Sequence, residues 1–173
     1  MFLSGLKEKS IVRRLKSVTS GRSYAGASGK ITSVALLQDA SMPFNSKELS
    51  DLIKVLGIAQ AQLTVISYVS NPDKAELVDE RTVADKHLGW KGVFKPVHLR
   101  NFVEQSFDVL ISYYTDENLP LLALSAQSNA SFKVGIGENY FDIQDLSIQI
   151  KRDQESVFIK ELEKYLNILK IKK

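Results

Sequence analysis

Residues 107–114, FDVLISYY, constrain this chain more than any other segment. The apolar residues there are nearly continuous instead of alternating, so a strand at this place must be covered on both faces. Coverage on both faces calls for helices above and below a sheet. Leu119–Gln127 supplies one, with Pro120 in its first turn, where a backbone N–H has no helical partner to lose. Residues 131–136, SFKVGI, then read as another strand. Strand, helix, strand with apolar central strands is the pattern of an α/β fold with a mainly parallel sheet.

The rest of the chain repeats that alternation. Residues 30–38 form a β-rich apolar run ending at Asp39, and residues 62–69 form a second, stopped by Asn71-Pro72. Between them, residues 46–57 carry a helical spacing of Leu49, Leu52, Ile53 and Leu56, with Ser46 as the expected N-cap and Gly57 as the stop. Residues 73–85 read as a weakly periodic helix, 86–97 as a loop or short strand, and 98–106 as a short helix. The alternation in residues 140–150 predicts a half-exposed strand, antiparallel at the sheet edge. Residues 153–169 predict the last helix, with Asp153 as its N-cap and lysines against the dipole at its end. The expected architecture is a Rossmann-like three-layer α/β sandwich of five or six strands.

Charge divides the chain unevenly. The first thirty residues hold Lys7, Lys9, Arg13, Arg14, Lys16, Arg22 and Lys30 against the single acid Glu8, while the net charge of the whole is only +3. In residues 5–18, Ile11, Leu15 and Val18 follow helical spacing with the bases Lys9, Arg13 and Lys16 off that face. Residues 19–29, rich in Ser and Gly, read as a linker. The expected organisation is a basic helix and linker over 1–29 and one α/β domain over 30–173. A basic end on an acidic body points to a polyanion. The preferred partner is RNA or a ribonucleoprotein, with Lys7, Lys9, Arg13, Arg14, Lys16 and Arg22 on phosphates. The alternative is an anionic membrane surface, with Phe2, Leu3 and Leu6 inserted. The remaining alternative is that this helix packs on its own acidic body or on a second subunit. With no cysteine and no apolar run of membrane-spanning length, a cytoplasmic protein is the natural reading.

Catalytic chemistry finds little footing. Gly26-Ala-Ser-Gly29-Lys30 lacks the first glycine of a phosphate loop, has Ile31 where a hydroxyl is needed, and precedes a strand instead of following one. Gly135-Ile136-Gly137 lacks the third glycine of a dinucleotide fingerprint and reads better as a tight turn. His87 and His98 are the only histidines and have no metal-ligand spacing, and no Gly-x-Ser-x-Gly elbow occurs. No catalytic residue, metal or cofactor is assigned. In a parallel sheet, ligands collect beyond the carboxyl ends of strands. By that rule Asp39, Tyr114, Thr115, Asp116, Gly135 and Gly137 would rim a pocket. Trp90, the sole tryptophan, with Lys86, Lys91, Lys95 and Phe94 nearby, reads either as a stacking surface or, by preference, as a core anchor.

Residues 107–137, FDVLISYYTDENLPLLALSAQSNASFKVGIG, resemble the signature of an uncharacterised family of bacterial proteins of about this length from the Bacteroidota. That resemblance covers most of the chain and implies no activity. The same stretch is similar, over about thirty residues, to the acceptor half of heptosyltransferase-like glycosyltransferases, through Phe107-Asp108, residues 121–126 and Val134-Gly135. This second likeness implies a Rossmann-like domain and, as an alternative function, a small-molecule binder or degenerate transferase that uses the strand-end rim. The reading that results is a non-catalytic binding module.

Overall fold

The structure is a computed structural model and describes residues 2–24, 29–115, 118–151 and 153–171. Six strands, β1 (Val34–Asp39), β2 (Leu63–Tyr68), β3 (Thr82–Val83), β4 (Val109–Tyr113), β5 (Phe132–Ile136) and β6 (Leu146–Ile148), form one sheet in the order β3-β2-β1-β4-β5-β6. Every pairing is parallel. This is the Rossmann-like order, with its switch point between β1 and β4.

Strand periodicity sorts side chains between two cores. Val34 and Leu36 of β1, Val109, Ile111 and Tyr113 of β4, and Phe132, Val134 and Ile136 of β5 face one side. There they meet helices α2 (Ser46–Leu56) and α6 (Glu155–Ile168) through Leu52, Leu56, Phe158, Leu162 and Leu166. Ala35, Leu37, Leu110 and Tyr114 face the other side. That side is covered by α4 (Val97–Glu104), α5 (Leu119–Gln127) and the N-terminal helix α1 (Phe2–Thr19). A short helix α3 (Lys74–Val78) closes the β3 edge.

The N-terminal helix shares this core. Ile11 and Leu15 are fully buried in the same cluster as Leu110, Leu121 and Leu124. At roughly 25 cal/mol per Å² of apolar surface removed from water, those two side chains stabilise docking by several kcal/mol.

Local chemistry sets most boundaries, with corrections. α2 is capped by Asn45, not Ser46: its side chain accepts from Glu48 N–H at 3.0 Å while Glu48 accepts from Asn45 N–H at 2.8 Å. Gly57, at φ 67°, ends it. α6 begins after Gln154, and Asp153 sits in the left-handed region instead of capping it. The weak helix over 73–85 divides into α3 and β3, because Asp73 and Glu76 close a capping box over a single short helix. The alternating segment 140–150 holds only the three-residue β6, and it runs parallel to β5. Alternation reports that one strand face is packed; direction is set by the crossover. Residues 138–145 cross the α5 face, burying Ile143 and packing Tyr140 and Phe141 on that core.

Candidate polyanion-binding face

Helix geometry decides which charges of α1 are presented. At about 100° per residue, Lys9, Arg13 and Lys16 cluster on the side opposite buried Ile11 and Leu15. All three are exposed, as is Arg14, and Lys7 is half-buried. Arg22 is elsewhere. Its guanidinium pairs with Asp145 (Nη2–Oδ2 2.7 Å, with a second contact from Nη1) and leans on the carbonyls of Ala130 and Ser131, both at 3.4 Å. It ties the end of α1 to the start of β5, away from the side of the helix that carries Lys9, Arg13 and Lys16.

The fold adds charges that the N-terminal segment lacks. Residues 88–94 form a hairpin, with Leu88 bridged to Phe94 and Gly89 N–H donating to Val93 carbonyl at 2.8 Å. Its tip, residues 90–92, lies along α1. Lys91 N–H donates to Ser10 Oγ at 3.1 Å, and Gln127 Nε2 donates to Gly92 carbonyl at 2.9 Å. Gly92 rests on the stem of Arg14, where a Cβ would lie 3.6 Å from its Cγ. Residues 86–103 contain Lys86, Lys91, Lys95 and Arg100 and no acid. Together with α1 this flank carries nine basic residues against Glu8. Trp90 stands at the tip with half its surface exposed, so it is not the expected core anchor; Phe94 takes that place, buried beneath it.

The described strand-end residues each have a local role. Asp39 accepts from Ser41 N–H at 2.8 Å and Ser41 Oγ at 2.7 Å, an Asx turn that opens the loop after β1. Tyr114 is buried, its hydroxyl bonded to Ser125 Oγ at 2.8 Å under α5. Thr115 is half-buried, and Asp116 lies outside the described residues, as do positions 26–28 of the Gly26–Lys30 segment. Gly135 is a packing glycine: a Cβ would come within 1.9 Å of Gln144 Nε2, where the crossover passes over β5. Gly137, at φ 69°, makes the turn after β5, and its carbonyl accepts from Ser147 Oγ and from Gln149 Nε2 at 2.8 Å.

A phosphate seat at the switch point is disfavoured on two counts. The turn between β1 and α2, residues 40–45, has no glycine to let a ligand approach the backbone. The first turn of α2 is already closed by Asn45 and the Glu48 carboxylate. Tyr113, packed between Phe44 and Phe158, sits at the same end. Burial first, and the Glu155 carboxylate second, raise its hydroxyl well above the ordinary range. An anion there would meet Glu48 and Glu155. His87 is buried and accepts from Ala84 N–H at 3.2 Å. Burial, then the charge of His98, lower its pKa. No cluster of three metal-ligating side chains occurs among the described residues.

A cleft of about 610 Å³ lies at the other end of the sheet between the C-termini of α1, α4 and α5. Arg14, Arg22, Gln127 and Lys133 are among its lining. Lys133, from β5, is almost fully buried and donates to the carbonyls of Ser125 at 2.6 Å and Ala126 at 3.2 Å. Burial, and secondly the Arg22 charge, bring its pKa down to about 7, against the pull of Asp145. The strand reading SFKVGI passed over this lysine, although a charge in a two-faced apolar strand is the signal that marks it.

Residues 7–169 match a family of unknown function, DUF6913. The chain belongs to that family. No curated protein and no solved structure matches it. Membership in an uncharacterised family is what residues 107–137 led us to expect; the Bacteroidota source and the glycosyltransferase likeness find no support in these comparisons. Asp108 explains the Phe-Asp pair locally. Its Oδ2 accepts from Thr32 N–H at 2.7 Å, Thr32 Oγ1 at 2.8 Å and Ser33 N–H at 2.9 Å, pinning the entry to β1 against β4. The matched span takes in most of α1, the Trp90 hairpin and all six strands. No helix among the described residues is long and apolar enough to cross a membrane.

Proposed function

We propose that this DUF6913 protein is a non-catalytic cytoplasmic binding module that docks on RNA or a ribonucleoprotein through the face formed by α1 and residues 86–100. One observation carries the reading: folding consumes the apolar side of α1 and leaves Lys9, Arg13, Arg14 and Lys16 outward, beside a second basic segment. Charges that solvate a helix need no such neighbour. Phosphate contacts need charge density more than fixed geometry, and this flank concentrates it.

The test is fluorescence anisotropy of a labelled RNA across a salt series, with the full chain and with Lys9, Arg13 and Lys16 all changed to Ala. Each lost phosphate contact on a single strand lowers the slope of log K against log salt by about 0.7, so the triple variant should lose about 2. Equal slopes and affinities for the two proteins would remove the reading.

A second reading rests on Leu3 and Leu6, both exposed at the start of α1 (69% and 42%). On an anionic membrane these would enter the interface while the bases met headgroups. The consumption of Ile11 and Leu15 in the core leaves that reading only the first turns of the helix; the side chain of Phe2 lies outside the described residues. Changing Leu3 and Leu6 to Ser would abolish vesicle binding and leave RNA binding intact.

A further inference from the structure

We infer that Trp90 is a stacking platform for an unpaired base, so that the nucleic acid this face prefers is single-stranded. The inference rests on the polyanion reading above and narrows its ligand.

The tip of the hairpin is held far more firmly than an incidental surface turn. Leu88 and Phe94 anchor it from below, both about 2% exposed. On the tip side of that pair Gly89 N–H reaches Val93 carbonyl, and on the base side Lys95 N–H reaches His87 carbonyl at 2.8 Å. Lys91 adopts φ 57°, a left-handed conformation that costs about 1 kcal/mol or more for a residue with a Cβ. It is kept there by the bond from its N–H to Ser10 of α1 and by Gly92, also left-handed, against Arg14. Gln127 of α5 donates to the Gly92 carbonyl, so α1 and α5 together hold one short turn that presents an indole.

What it presents has a chemistry. Trp90 is 50% exposed. A large aromatic with only two side-chain torsions loses little entropy when a ligand covers it. Lys91 follows it directly, the Lys95 side chain runs past Gly89 with its Cε 3.8 Å from where a Cβ would sit, and Arg14 lies beneath Gly92. An exposed aromatic on a turn flanked by basic side chains, with no acid in residues 86–103, suits a base with phosphates on either side. In a duplex the base faces are already stacked on one another, so only an unpaired nucleotide can use the ring.

A lipid interface would also accept a tryptophan, but it would take the exposed Val93 with it. A base stack has no use for Val93. That difference separates the two partners.

Trp90 is the only tryptophan, so its emission reports this one position. The experiment titrates the full-length protein with a 15-nucleotide oligouridylate, with a 15-base-pair RNA duplex, and with vesicles of phosphatidylglycerol and phosphatidylcholine. Affinity is read in parallel from the anisotropy of the labelled oligonucleotide. The expected result is quenching by the oligouridylate, a weaker response to the duplex, an affinity loss of roughly 5- to 100-fold for Trp90→Ala, and near-full retention for Trp90→Phe. Val93→Ser should change nothing. Oligonucleotide binding without quenching, or with Trp90→Ala as tight as the parent, overturns the stacking inference and leaves the polyanion reading standing. So does a duplex bound as tightly as the single strand. No binding to either RNA overturns both. A blue shift with vesicles that Val93→Ser abolishes, without RNA binding, assigns the face to a membrane and also overturns both.

Discussion

Lys133→Met tests the electrostatics of the sheet's amino end. Methionine keeps the unbranched shape of the side chain, one heavy atom shorter, and removes its charge. In the parent, burial and Arg22 move the ammonium titration from the ordinary 10.5 to about 7. A basic group whose pKa is lower in the folded chain than in the unfolded one loses its proton on folding. Between pH 7 and 10.5 the unfolded chain therefore holds a proton that the folded chain lacks, and stability rises with pH across that window. Below pH 7 both states are charged and the cost of burying the ammonium is fully present. The slope inside the window approaches about 1.4 kcal/mol per pH unit, which integrates to about 2 kcal/mol between pH 7 and pH 9. Urea unfolding of the parent and of Lys133→Met at intervals over that range isolates the contribution, because every other titrating group is common to both. The parent should gain about 2 kcal/mol relative to the variant from pH 7 to pH 9. The variant also strips two carbonyls, Ser125 and Ala126, of a donor, a roughly pH-independent loss of about 1–3 kcal/mol for each group left unsatisfied. A difference that stays flat with pH would show that the ammonium keeps its charge at the end of α5 and would refute the reasoning.

Leu15→Ala should cost about 3 kcal/mol in denaturant unfolding, since the side chain is fully buried between α1 and the body; a cost near zero would return α1 to the status of an appendage. Asp108→Asn should cost about 1–3 kcal/mol at neutral pH, as the carboxylate serves N–H and O–H donors of Thr32 and Ser33. Burial opposes the charge of Asp108, but those donors prevail and its pKa is lowered. Its contribution is therefore present above the ordinary 3.8 and lost as pH falls through the lower folded value, so the unfolding curves of parent and variant should converge in acid.

Elements with strong local chemistry were legible in advance. Leu119–Gln127 begins and ends as its sequence implies, because Asn118 accepts from Leu121 N–H at 3.1 Å and Pro120 fits the first turn. Gly137 makes the tight turn that its place after an apolar strand suggested, with φ in the left-handed region. The strand-end rim was less legible. The rule locates the carboxyl end of a strand but not the face to which each side chain turns. Tyr114 turns under α5 and Asp39 into its own loop. Trp90 was misplaced for a related reason: an aromatic in a Gly-rich segment gives no period from which burial can be inferred, and the neighbouring Phe94 is the one that went inside.

The sequence by itself determined the class of fold, since a run such as VLISY in β4 is stable only with helices on both faces. It also determined that α1 is basic and amphipathic. The neighbours of that helix were decided only by tertiary structure. A parallel sheet ordered β3-β2-β1-β4-β5-β6 needs crossovers, and the one between β3 and β4 carries residues 86–100 over the same face that α1 covers. Two basic segments some eighty residues apart thereby share a surface, while Arg22, close in sequence, is drawn off to Asp145. Periodicity records which side of one element meets the core; the identity of the element beside it depends on long-range packing, which leaves no local pattern in the chain.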